Sequence, residues 1–172
     1  MRHLFVIAIA LWGLLGCSQQ LSDYQGREDA FDLRSYFDGD LKAWGTVSDR
    51  NGVVKRRFTA TIKATWQGDK GTLDEVFEFD DGERQTRVWT LTRSNNAYTG
   101  TAADVEGQAQ GSVVGFAMNW NYDLQIVVDG EKWTVGVNDW LYQIDKNVVM
   151  NVGELTKFGF KVGQITLFMQ KQ

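Results

Sequence analysis

The 172-residue chain has one histidine, one cysteine and no proline. The histidine is His3 and the cysteine is Cys17, so everything after residue 17 lacks both imidazole and thiol. That excludes His-based triads, cysteine nucleophiles, and zinc, haem-histidine or cysteine-ligated iron–sulfur sites. A single cysteine also leaves no internal disulfide, and packing alone must hold the fold. Catalysis would fall to carboxylates, lysine, tyrosine, serine or threonine. The expectation of an enzyme is lowered accordingly, and the sequence assigns no catalytic residue, metal or cofactor. A basic block is missing too. The formal charge of −4 argues against nucleic acid and against binding anionic headgroups by charge alone.

Long hydrophobic runs are nearly absent. The exception is MRHLFVIAIALWGLLGCS, with Arg2 at its start and an apolar stretch from Leu4 to Leu15. A membrane-spanning helix needs about 20 apolar residues, and this run is shorter. Leu14-Leu15-Gly16-Cys17 resembles a bacterial lipobox, in which the cysteine becomes the lipidated N-terminus after cleavage. The alternative is a signal anchor with an incidental cysteine. On the lipobox reading, residues 1–16 are a lipoprotein signal peptide and Cys17 carries the lipid that ties the protein to a membrane. Ser18 rather than aspartate follows the cysteine, which by resemblance to Gram-negative sorting favours the outer membrane, facing the periplasm. Removing residues 1–16 leaves 156 residues and moves the formal charge to −5, because Arg2 is lost. That length suits one domain with a real core. Residues 17–30 are polar without a sustained period and are expected to form a lipidated N-terminus and flexible tether.

From residue 31 to 172 the chain is a succession of strand patterns. In RRFTATIKATWQ, Phe58, Ala60, Ile62, Ala64 and Trp66 alternate with Arg57, Thr59, Thr61, Lys63 and Thr65, the period of a half-buried strand. NWNYDLQIVV repeats the pattern with Trp120, Tyr122, Leu124, Ile126 and Val128. Further strands are expected near 36–47, 72–79, 84–93, 97–105, 108–118, 131–143, 146–153 and 158–169. Between them lie hairpin residues that tolerate positive φ: Asn51-Gly52, Gly68-Asp69, Asp80-Asp81-Gly82, Asn95-Asn96 and Asp129-Gly130. Short turns imply strands paired in sequence order. An all-β fold follows: an antiparallel up-and-down meander of 8–10 strands closing into a lipocalin-like barrel, with a flat or two-layer sheet as runner-up. A membrane-spanning barrel needs an apolar outer face, whereas Arg57, Thr61, Lys63, Asn121, Asp123 and Gln125 make polar ones.

Several segments are similar to the DUF3833 family of bacterial lipoproteins. They are SYFDGDLKAWGTVSDRNGVVKRRF, DDGERQTRVWTL and, most specifically, NDWLYQIDKNVVMNVGELTKFGFKVGQITLFMQK. The resemblance runs from Phe31 to Gln170. It implies a bacterial envelope lipoprotein and no particular reaction. The family's acid-acid-Trp stands here as Asn138-Asp139-Trp140.

The strand KWTVGVNDWLY places Trp133, Val135, Val137, Asp139 and Leu141 on one face. If that face is inward, Asp139 needs a partner, because an ionised carboxylate in an apolar interior is costly alone. Arg87 shares a face with Trp89 and Leu91, and an internal Arg87–Asp139 pair is one solution. Such a guanidinium could hold a ligand carboxylate or phosphate; the plainer alternative is a structural pair, and a bulge could instead turn Asp139 to water. Trp66, Trp120, Tyr122 and Trp133 complete the candidate ligand-binding set, against the alternative that they simply fill a core. Small inward residues (Ala60, Ala64, Gly100, Ala102) point toward a cavity. The acid pairs Glu28-Asp29, Asp74-Glu75 and Asp80-Asp81 read as solvated, since neighbours on a strand face opposite ways. The sequence thus favours a lipid-anchored protein binding a small hydrophobic molecule. Its rival is an envelope interaction protein with a filled barrel and an unidentified protein partner.

Overall fold

The computed structural model describes residues 18–27, 30–128 and 130–172. The signal segment, Cys17, Glu28-Asp29 and Asp129 lie outside the described residues. Ten strands follow one another: β1 (Gly39–Asp49), β2 (Val54–Gln67), β3 (Lys70–Phe79), β4 (Arg84–Ser94), β5 (Ala97–Thr101), β6 (Val105–Val114), β7 (Ala117–Val128), β8 (Glu131–Gln143), β9 (Val148–Lys157) and β10 (Phe160–Lys171). Each pairs antiparallel with its sequence neighbours, and β1 closes on β10 with Ala43 opposite Met169 and Gly45 opposite Leu167. The expected meander is a closed barrel. Several expected boundaries shift by a few residues, and two shift further: 97–105 stops at Thr101, and 108–118 contains the turn between β6 and β7.

Closure requires strands to bend, and register shifts mark where they do so. One lies between Val47 and Ser48, one between Lys161 and Gly163, and one between Glu106 and Gln110. Alternation then divides inside from outside. On β2, Ala60, Ile62 and Ala64 are buried while Thr61, Lys63 and Thr65 are exposed.

The two ends of the barrel differ. At one end a single helical turn, α1 (Leu33–Tyr36), starts on an Asp32 side chain that accepts from the Ser35 backbone N–H. Phe31, Leu33, Tyr36 and Phe37 around it are each at most 5% exposed. The Tyr36 hydroxyl donates to the Met169 carbonyl at 2.7 Å, and the Trp66 indole donates to the Phe37 carbonyl at 2.7 Å. Beneath this seal, Leu41, Ile62, Leu73, Met118 and Val149 are buried. At the other end the inward residues Val47, Phe77, Ile126, Trp133, Ile165 and Leu167 are only half-buried. One end is sealed and the other is open.

The segment expected as a tether makes a short 3-10 turn, Leu21–Tyr24. Tyr24 packs edge-on to Phe116 and against Trp140 and Tyr142 on the outer wall. Among the described residues no helix is long and apolar enough to cross a membrane.

Candidate functional site

Of the small inward residues expected to leave space, Gly100 does not. A Cβ on Gly100 would lie 2.7 Å from Leu91 and 2.9 Å from Trp120, and one on Gly71 would lie 2.7 Å from Trp66. At Gly45 the Phe58 ring occupies the place a side chain would take. Small residues here make room for large neighbours: rings fill the space at Gly71 and Gly100 in the sealed half, and at Gly45, opposite Leu167, in the open half. Trp120 meets Trp89 with ring centres 5.7 Å apart, and Trp89 meets Tyr122 at 5.3 Å.

Above this apolar floor lies a polar cluster facing the open half, with Asp139 and Asn151 buried and Glu75, Arg87, Asp104 and Tyr122 half-buried. Register sets it up. Glu75 on β3 stands opposite Arg87 on β4, and Asp139 on β8 stands between Trp120 on β7 and Gly153 on β9. The Arg87 Nε donates to both Asp104 carboxylate oxygens, at 3.1 and 3.0 Å, and its Nη2 lies 2.9 Å from Asp104 Oδ2. Glu75 is farther, 3.9 Å from Nη1. Asp139 accepts from the Tyr122 hydroxyl at 3.0 Å and from Asn151 Nδ2 at 3.1 Å. The expected direct Arg87–Asp139 pair is therefore replaced by two neighbouring groups. Asp104, in the short β5–β6 connection, reaches Arg87 first, while Tyr122 and Asn151 satisfy Asp139 by hydrogen bonding.

Electrostatics distinguish the members. Burial pushes the Glu75 carboxyl up to about 7; Arg87 opposes this, and the charges of Asp104 and Asp139 add to it. Burial likewise raises Asp139, and the hydrogen bonds from Asn151 and Tyr122 recover only part of the difference. Burial works against the Arg87 charge, but the Asp104 hydrogen bond and Glu75 charge outweigh it and hold the guanidinium above its ordinary range. Three carboxyls thus surround one guanidinium whose fork is already occupied. An incoming anion gains little from Arg87. A cationic or hydrogen-bond-donating group would find Glu75 and Asp139 short of positive partners.

Of the six residues singled out from the sequence, Arg87, Asp139, Trp120 and Tyr122 come together here. Trp66 belongs to the seal. Trp133 stands at the open end, half-buried, with Lys157 Nζ 3.7 Å above its ring. Glu75, Asp104 and Asn151 were missed. Glu75 alternates with Leu73 and Phe77 on the inward face, a signal the Asp74-Glu75 pairing hid. Asp104 and Asn151 carry no comparable periodic signal. Gly153 has no side chain because the Asp139 carboxyl occupies the place of its Cβ.

Elsewhere, a hollow of about 140 Å³ lies beside Phe31, Arg93 and Tyr98 at the sealed end. A shallow polar depression of about 490 Å³ lies on the outer wall, where Glu106, Gln110, Asn121, Asn138 and Glu154 border the β6 bulge beside Tyr122. Among the described residues no group of three or more metal-type ligands is assembled.

The DUF3833 family, described as proteins of unknown function, matches residues 11–171. The chain belongs to the DUF3833 family. No curated protein matches it by sequence. Among solved structures it is similar to a DUF3598-family protein of unknown function from Nostoc punctiforme, with a TM-score of 0.61 and 14% identity. That match covers 84% of this chain, which spans half the length of the Nostoc protein. It is also similar to an S-type phycobiliprotein lyase from Guillardia theta, with a TM-score of 0.57, 8% identity, and coverage of 81% of this chain and 90% of that one. At such identities the likeness is one of fold, and this DUF3833 chain shares a barrel rather than a demonstrated chemistry with them.

Proposed function

We propose that this protein is a lipid-anchored component of a Gram-negative envelope whose barrel takes a small amphiphilic ligand through its open end. One observation carries the ligand: half-buried inward apolar residues surround a polar cluster with more carboxyls than cations. The ligand's apolar body would meet Phe77, Ile126, Ile165 and Leu167, and its polar end would donate to Glu75 or Asp139. A bound anion is disfavoured, because Asp104 already occupies Arg87. The apolar run ending at Cys17 supports the anchor, and Ser18 after it supports the outer membrane.

The test uses the full chain, extracted in mild detergent. Native mass spectrometry asks what accompanies it, and calorimetry compares a long-chain amine with the fatty acid of equal chain length. Heat of binding for the amine, weakened in Asp139→Asn, supports the assignment. A protein carrying nothing beyond its anchor and binding neither probe would sink it. The second reading, an interaction protein with a filled barrel, draws on the aromatic filling of the sealed half. Recovery of one stoichiometric protein partner with no small molecule would favour it.

A further inference from the structure

Every exposed phenylalanine or tryptophan among the described residues lies on one side of the barrel. Val162 and Phe168 lie on the outward face of β10, Trp44 stands opposite Phe168 on β1, and Phe160, beyond the register shift, stands opposite Lys157 at the rim of the open end. Phe158 and Phe160, at the β9–β10 turn, are 89% and 75% exposed. By contrast, the outward face of β4 offers Arg84, Thr86, Val88, Thr90 and Thr92. The aromatic tip is also costly to build. Phe158 has φ +51 and Gly159 φ +80, a two-residue turn whose first position normally takes asparagine. A bulky ring in the left-handed region, pointing into water, gains nothing for the fold.

We propose that this outer wall of β10 and its neighbours is the face that lies on a lipid surface, with the barrel axis along the membrane. The inference rests on the anchored reading for its geometry. The Tyr142 hydroxyl donates to Gln19 Oε1 at 2.8 Å. Tyr142 stands opposite Met150, Met150 opposite Phe168, and Phe168 opposite Trp44, one row of outward side chains. Strands are spaced about 4.8 Å apart, so Phe168 lies about 10 Å from Tyr142 along that row. Cys17 is two residues before Gln19, at most about 7 Å of chain. An acyl chain on Cys17 would therefore enter the bilayer beside the aromatic stripe. The tip at Phe160 and the row at Phe168 lie about 26 Å apart along β10, with Gln164 and Thr166 between them, two contact points at the two ends of the barrel. Lysine stems accompany the rings: Lys42 Nζ lies 5.5 Å from the centre of the Trp44 ring and Lys157 Nζ 5.3 Å from that of Phe158. Such stems cover apolar surface while their ammonium groups reach the headgroup layer. This placement leaves the open end facing sideways, reachable from the water layer next to the lipid.

The experiment reconstitutes the full-length chain in phosphatidylethanolamine vesicles containing a photoactivatable phospholipid, and maps lipid adducts by peptide mass spectrometry. Adducts on residues 158–168 and on the Trp44 peptide, several-fold above those on the β4 peptide, support the face. Their loss in Phe160→Ser combined with Phe168→Ser, with the thermal transition kept, supports it further. Equal adducts on β4 and β10 overturn it, as does chemical crosslinking of Lys161 to Lys161 between copies without lipid adducts, which would mark the stripe as a dimer face. The same spectra report whether Cys17 is acylated. An acylated Cys17 without stripe adducts overturns the face alone. An unmodified Cys17 without them overturns the face and the anchor together, and an unmodified Cys17 with them leaves the face standing and removes the anchor.

Discussion

The two halves of the barrel solve the same closure problem with opposite interiors. In the sealed half, Leu33, Tyr36 and Phe37 cap a stack in which Gly71 and Gly100 admit neighbouring rings. Each buried Leu, Ile, Val, Phe or Met side chain there adds about 1.5–3 kcal/mol of apolar transfer, with almost nothing polar left to satisfy. In the open half, Glu75, Arg87, Tyr122, Asp139 and Asn151 occupy the same kind of inward position, and Asp104 reaches Arg87 from the β5–β6 connection. Buried polar groups stabilise little even when paired, and they cost heavily when one partner is removed. The sealed half is built for stability. The open half retains ionisable groups whose placement stability alone would not select.

Substitutions can break or sharpen that contrast. Arg87→Met leaves Asp104 and Glu75 facing each other without a cation, and should cost about 3–5 kcal/mol in urea denaturation. A loss below about 1 kcal/mol would mean the cluster is solvated. Tyr36→Ala opens the seal and removes a hydroxyl that donates to Met169, at about 3–4 kcal/mol by the same measurement. The matching Phe77→Ala at the open end should cost clearly less.

Glu75→Gln has the opposite sign. The folded carboxyl holds its proton up to about pH 7, whereas the unfolded one releases it near 4.5. The unfolded state therefore binds fewer protons between those values, and stability falls as pH rises through that window. The variant should flatten this slope and gain up to about 3 kcal/mol above pH 7, read from thermal unfolding across pH. An unchanged pH profile would show that Glu75 ionises freely. Gly153→Ala should cost about 1–3 kcal/mol by driving a methyl into the Asp139 carboxyl. Asp139→Ala should recover part of that loss in the double variant. The smallest effect is expected at the rim. Phe158→Asn relieves a left-handed ring and should raise stability by about 0.5–1 kcal/mol, measured as a shifted denaturation midpoint.

Much of the barrel was legible because period-2 alternation and glycine-bearing turns are local signals. Phe58 to Trp66 and Trp120 to Val128 announced both their strands and their inward faces. The β6–β7 turn was hidden inside an apolar glycine-rich run, and the one-turn helix at Leu33–Tyr36 is too short to show a period. Asp139 was placed inward by alternation alone. Tyr122 was placed inward in the same way, but its bond to Asp139 and that of Asn151 were not legible, because both reach Asp139 from other strands. Gly100 misled for the same reason: the residue suggests space, but the Leu91 and Trp120 side chains fill it.

By itself the sequence determined which way most strand residues face, where most of the turns fall, and that neither imidazole nor thiol chemistry is available after residue 17. These follow from covalent identity and from backbone preferences acting over a few residues. Tertiary structure alone decided that Asp104 would take Arg87, that one end would be plugged and the other left open, and that the exposed aromatics would gather beside β10. Those outcomes depend on register and closure, which bring together residues far apart in the chain.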